Sequence, residues 1–259
     1  MRHLLLIILT VSCCFTLNVQ ANPAEIAIII DDMGNKNEDA LAFALPAQVT
    51  FAILPNKPLS RIFSERAKIQ SREVILHMPM ESIAGVKEEQ NSLSANMTTV
   101  QMRHLLQLAL DSVPYASGVN NHMGSKLTQL SQPMAVMMEF LLQRDLYFVD
   151  SRTTNLSQAE RIARQTGVMS VKRNVFLDHD ADLAHIDWQF KRLIRLAKKH
   201  GRAVAIAHPY PQTLEFLHEN LALLEAQGIS LVKLGDFMLD GEKVAAQSSH
   251  HYGSAASAK

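Results

Sequence analysis

The stretch Ile26-Ala27-Ile28-Ile29-Ile30-Asp31-Asp32 carries the fold in miniature, an apolar run that stops abruptly on two carboxylates. A run this apolar has no face for water, so it reads as a strand buried on both sides, the habit of parallel sheets covered by helices. The same figure recurs at 49–54, 73–76, 118–120, 146–149, 174–177, 203–207 and 230–234. Between these runs, apolar residues fall at helical spacing over 60–70, 98–112, 133–144, 157–165, 186–200 and 213–227. Strands that alternate with helices must pair in parallel. Seven or eight such units in about 210 residues predict an α/β protein whose sheet is a closed or nearly closed barrel, with a doubly wound open sheet as the alternative. Thr213, after Pro211 and Gln212, is expected to open the last helix and Gly228 to end it.

The polar residue that terminates each run is as informative as the run itself. Asp31-Asp32 ends the first, His77 comes after the third, His122 after the fourth, Asp150-Ser151-Arg152 after the fifth, Asp178 after the sixth and His208 after the seventh. In a β/α barrel the C-terminal strand ends converge on one mouth, so these residues are expected to face one another there. A lone Asp at such a place is a helix cap or a turn residue, but six such endings, three of them His, ask for a chemical reason. Neutral imidazoles and carboxylates are the ligands of Zn²⁺ and similar ions, and a catalytic site uses about three of them. Asp32, His77 and His122 form such a set and point to metal-assisted hydrolysis. Glu81 lies four residues beyond His77 with Pro79 between; were Pro79 to begin a helical turn, Glu81 would join or replace His122. Asp31, beside a ligand, is placed to take a proton from water, and His208, arriving from the far side, to donate one to a leaving group. Asp150, Arg152, Arg173 and Asp178 are expected to orient these groups.

The 259 residues are 47% hydrophobic and 19% charged, which suits a single globular domain and excludes a disordered chain. Lys+Arg 25 against Asp+Glu 25 offers no broad basic field, so no nucleic-acid partner is expected. Met1-Arg2-His3, the apolar run 4–9 and Ala21 before Asn22-Pro23 read as a signal peptide over 1–21, implying a periplasmic or secreted protein with no membrane span in the mature chain. Cys13 and Cys14 fall inside it, which removes thiol chemistry and disulfides from the mature protein. The barrel domain is expected over 22–242 and a disordered tail over 243–259. Aromatic residues are only 6% of the chain, and Trp188, the single tryptophan, sits in a helical pattern that predicts core packing.

The segments Ile29-Ile30-Asp31-Asp32-Met33-Gly34, Leu76-His77-Met78-Pro79-Met80-Glu81, Asn121-His122-Met123-Gly124-Ser125, Asp150-Ser151-Arg152-Thr153 and Ala207-His208-Pro209, in that order, resemble the divergent polysaccharide deacetylase family. That family is a secreted bacterial branch of the carbohydrate esterase deacetylases. The resemblance implies a deformed (β/α)7 barrel, a divalent metal with zinc the first expectation, and hydrolysis of an acetyl group on a polysaccharide, a peptidoglycan-related glycan among the candidates. By the same resemblance Asp31 is the base, Asp32 and His77 bind metal, and His208 is the late catalytic His. Typical deacetylases carry a second His four residues after the first, where this chain has Glu81. Two other readings stand beside this one: a non-catalytic glycan- or protein-binding barrel that keeps the metal, and a glycosidase that pairs carboxylates such as Asp31 and Asp150.

Overall fold

The computed structural model describes residues 23–83 and 91–241; the signal-peptide and tail expectations lie outside these. In chain order the elements are β1 (Ala24–Met33), β2 (Thr50–Ile53), α1 (Ser60–Ile69), β3 (Val74–Met80), α2 (Thr99–Ser112), β4 (Ala116–Met123), α3 (Ser131–Leu142) and β5 (Tyr147–Asp150). Next come α4 (Ala159–Thr166), β6 (Ser170–Lys172), β7 (Val175–Phe176), α5 (Leu183–His200), β8 (Arg202–Ala207), α6 (Pro211–Asn220) and β9 (Ile229–Leu231), then a helical segment over 234–241. Every named strand pairing is parallel, in the order β6-β5-β4-β3-β2-β1-β8-β7, with β9 on β1. The sheet curls into a deformed barrel whose ends, β6 and β7, are not hydrogen-bonded to each other.

Alternation along the strands separates two apolar compartments. Ile26, Ile28, Ile30, Phe51, Ile53, Leu76 and Phe148 point out to the helices and join the large core. Ala27, Ile29, Ala52, Ile75, Tyr147, Val149, Val204 and Ile206 point into the barrel. Leu234, Phe237 and Met238, from the helical segment at 234–241, close that inner compartment. This is why the first run carries no polar alternation: both its faces are buried, each Ile contributing about 1.5–3 kcal/mol.

Several boundaries differ from the sequence reading. β3 continues four residues and β4 three past the expected ends, because His77, Met78, Pro79 and Met80 pair in register with Asn120, Asn121, His122 and Met123. His77 and His122 therefore lie within strands. β6 is unforeseen: its three residues offer only Val171 as an apolar signal. α6 begins at Pro211 rather than Thr213, whose hydroxyl donates to Asp178 Oδ2 at 3.0 Å, and it ends at Asn220, two short 3-10 turns carrying the chain to Gly228. Trp188 is 54% exposed, since the buried stripe of α5 is Ile186, Phe190, Leu193, Ile194 and Ala197 and Trp188 falls off it. Among the described residues no helix is long and apolar enough to cross a membrane.

Candidate active site

The site grows from the inward-facing rows of the barrel. One step above Ile29, Ile75, Val149 and Ile206 on their strands come Asp31, His77, Ser151 and His208, so the polar groups continue the columns that pack the interior below. By strict alternation Asp32 would point outward, toward the helices. It does not, because Asp32 takes a left-handed conformation, φ 59, where the pairing of β1 with β2 shifts register. That turn brings both neighbouring carboxylates to one imidazole: His77 Nε2 is 3.6 Å from Asp31 Oδ2 and 3.1 Å from Asp32 Oδ1.

Three donor atoms form a small triangle. Asp32 Oδ1 is 2.9 Å from His122 Nδ1 and 3.1 Å from His77 Nε2, and the two imidazole nitrogens are 3.1 Å apart. Ligand atoms that share a cation at 2.0–2.2 Å stand about 3.0–3.5 Å from one another, so the triangle fits one face of a zinc or similar coordination shell. A second observation agrees: Asp32 Oδ1 is buried, and apart from these two nitrogens it has no hydrogen-bond partner. Burial opposes ionisation of Asp32, but His122 and His77 outweigh it and hold the carboxyl well below its ordinary range. These three residues are the one group with metal-ligand spacing among the described residues.

Glu81 stands outside this group. Pro79 belongs to β3 and starts no helical turn, and four residues of extended chain carry Glu81 roughly 13 Å along from His77. Its Oε2 accepts from the Ala95 N–H at 2.7 Å and its Oε1 pairs with Lys126, so it ties those two residues to the end of β3.

His208 faces the triangle from across the mouth, its Nε2 4.0 Å from Asp32 Oδ2. Asp178 fixes the ring: Oδ1 lies 2.9 Å from His208 Nδ1, and Oδ2 accepts the His208 N–H at 2.7 Å and the Thr213 hydroxyl at 3.0 Å. The imidazole is also stacked between Phe176 and Tyr210, at centroid distances of 6.1 and 5.5 Å. Burial works against protonation of His208, yet Asp178, then Asp31 and Asp32, raise its pKa. For Asp31 burial dominates and raises the carboxyl, against the pull of His77 and His208.

The remaining expected residues divide by the faces of β5. Asp150 is on the face opposite Val149, where its oxygens accept from the Arg152 N–H and the Ser157 hydroxyl, both at 2.8 Å. A glycosidase pairing of Asp31 with Asp150 therefore finds no basis, as Asp150 is turned away from the mouth and engaged within its own loop. Arg152 folds back on the Asn155 and Ser157 carbonyls, at 3.3 Å each. Arg173 donates to the Ser151 and Arg152 carbonyls at 2.7 and 3.0 Å and lies over the Phe176 ring. Both arginines hold backbone carbonyls of the segment that follows β5.

The sequence profile described as divergent polysaccharide deacetylase matches residues 28–238. The chain belongs to that family. A Haemophilus influenzae protein is 40% identical over 214 residues, 82% of this chain and 76% of its own length. A crystal structure from Agrobacterium tumefaciens C58 matches with a TM-score of 0.81 at 20% identity, over 84% of this chain and 90% of that one. The catalytic domain of a peptidoglycan N-acetylglucosamine deacetylase from Eubacterium rectale matches with a TM-score of 0.50 at 14% identity, over 83% and 90%. At these identities the two structures speak to the fold, the deacetylase-type α/β barrel. Within this member of the family, the geometry adds residues that strand-end reasoning passed over: Asn120, Ser151, Thr213 and the two rings that clamp His208. Asn120 was within reach, since Gly118, Asn120 and His122 share one face of β4 by alternation.

Proposed function

We propose that this protein is a metal-dependent hydrolase that removes acetyl groups from a polysaccharide in the periplasm, with a peptidoglycan-related glycan as the first substrate to test. The observation that carries the reading is the triangle of Asp32 Oδ1, His77 Nε2 and His122 Nδ1 set between a buried carboxyl on one side and an Asp-held imidazole on the other. Asp32, His77 and His122 would hold the cation, zinc the first candidate. A divalent ion there supplies Lewis acidity toward an acetyl carbonyl. Asp31 takes the proton from the attacking water, its raised pKa making it a stronger base than an exposed carboxylate. His208, cationic beside Asp178, protonates the departing amine or alcohol. Periplasmic placement rests on the signal-like residues 1–21.

The test is elemental analysis of the purified wild type and of Asp32→Asn, followed by acetate release from a panel of acetylated oligosaccharides. Near-stoichiometric metal in the wild type, its loss in the variant, and acetate release dependent on Asp31 and His208 are expected. A wild type that binds metal but releases no acetate from any panel member would favour a binding barrel instead.

A further inference from the structure

We infer that Asn120 is a positioning residue that couples a metal ligand to the base, setting the ring form of His77 and the aim of Asp31 with one carboxamide. The inference rests on the deacetylase reading for the roles of those two groups, and on geometry for the coupling. His77 and Asn120 are in-register neighbours on β3 and β4, and the His77 Nδ1 to Asn120 Oδ1 distance is 2.7 Å. On its other side the Asn120 amide nitrogen donates to Asp31 Oδ1 at 2.8 Å and to Ser151 Oγ at 3.3 Å. Asn120 is 0% exposed, Asp31 and His77 2% each, so no solvent stands in for any of these contacts.

The directions of these bonds constrain one another. An ionised Asp31 carboxylate has only lone pairs to offer, so it must face the Asn120 NH₂. The amide oxygen is then turned to His77, and as it can only accept, His77 must carry its proton on Nδ1. In the neutral ring that a cation binds, this leaves a lone pair on Nε2, the atom that points at Asp32 Oδ1 and His122 Nδ1. A partner on the far nitrogen is what orients a ligating imidazole, and its loss typically lowers metal affinity 10–100-fold. Here the same group also holds the carboxylate that works beside the metal.

Two substitutions separate the functions. Asn120→Asp keeps an acceptor for His77 Nδ1 but replaces the donor to Asp31 with a second carboxylate; Asn120→Leu removes both. Zn²⁺ affinity, measured by competition with a chromophoric chelator, is expected to stay within about threefold of wild type in Asn120→Asp and to fall 10–100-fold in Asn120→Leu. Acetate release, measured on an acetylated chitooligosaccharide, is expected to fall at least about 100-fold in kcat for both. Long-range ¹H–¹⁵N NMR of zinc-loaded wild type and Asn120→Asp should show His77 protonated on Nδ1, a readout that needs no turnover and holds even if Asn120→Leu does not fold. Equal losses of affinity in the two variants, or His77 in the zinc-loaded wild type protonated on Nε2 and not on Nδ1, would overturn the inference. Zinc binding without acetate release in the wild type would reject the deacetylase reading alone, since the affinity order and the NMR signal still decide the role of Asn120. A wild type that takes up no zinc overturns both.

Discussion

At Asp32 the backbone does part of the chemistry, because only a left-handed residue at that point lets a strand that ends on two carboxylates aim both at His77. Asp and Asn tolerate that conformation; most other side chains lose about 1–2 kcal/mol there. Asp32→Asn is therefore expected to lose bound metal and only the stability that the cation and the Asp32–imidazole pairs supply, whereas Asp32→Val should lose the backbone preference besides and melt lower still, as differential scanning fluorimetry with metal analysis would show. Asp31→Asn is expected to cut kcat by about 10²- to 10⁴-fold with metal content unchanged, read from acetate release and elemental analysis. His77 supplies a pH signature. Burial alone would depress it, but Asp31 and then Asp32 lift its pKa to about 9 from an ordinary 6.5 when no cation is bound. A group raised on folding contributes stability that is complete below its ordinary pKa and is lost as pH climbs through the folded value. EDTA-treated protein should thus lose melting temperature between about pH 7 and pH 9, and zinc, which binds the neutral ring, should bind more tightly over the same range.

Strands decide which of these residues meet, and here the limits of reading a sequence are physical. The repeated pattern of an apolar run ending in Asp or His is local, so it shows in the sequence, and it led to Asp31, Asp32, His77, His122 and His208. Glu81 misled for the complementary reason: its spacing from His77 fits a helix as well as anything, and only the pairing of Pro79 with His122 shows that the segment is a strand. Asn120 and Thr213 owe their roles to partners 89 and 35 residues away, a register that no window of sequence contains. Gly118 teaches the same lesson on the packing side. It lies beside Tyr147 in the β4–β5 register, and a Cβ there would come within 2.3 Å of the Tyr147 ring. That ring cannot swing away, since its hydroxyl donates to Glu73 at 2.7 Å. Gly118→Ala should therefore destabilise the fold by at least about 1–3 kcal/mol in urea denaturation, and Gly118→Ala combined with Tyr147→Val should recover part of it.

Over the whole molecule, the C-terminal helical segment is as much a part of the barrel as any strand. Phe237 is 3% exposed and sits in the inner apolar compartment with Leu234 and Met238, under the Arg202 guanidinium, which lies 3.9 Å from its ring centre. Phe237→Ala is expected to cost about 3–5 kcal/mol, measured by urea unfolding, with metal affinity at 25 °C little changed because the site lies at the opposite end of the strands. The closed floor also constrains traffic. Ala27, Ile29, Ala52, Ile75, Val149, Val204 and Ile206 fill the space above it, all at 0% exposure, so the barrel is a blind well with its chemistry at the rim. If the substrate is the polysaccharide proposed above, it cannot be threaded through such a body or fed along it from an end. It must be laid across the opening, one pendant group dipped in at a time, and whatever is cut loose has to leave by the door through which it came.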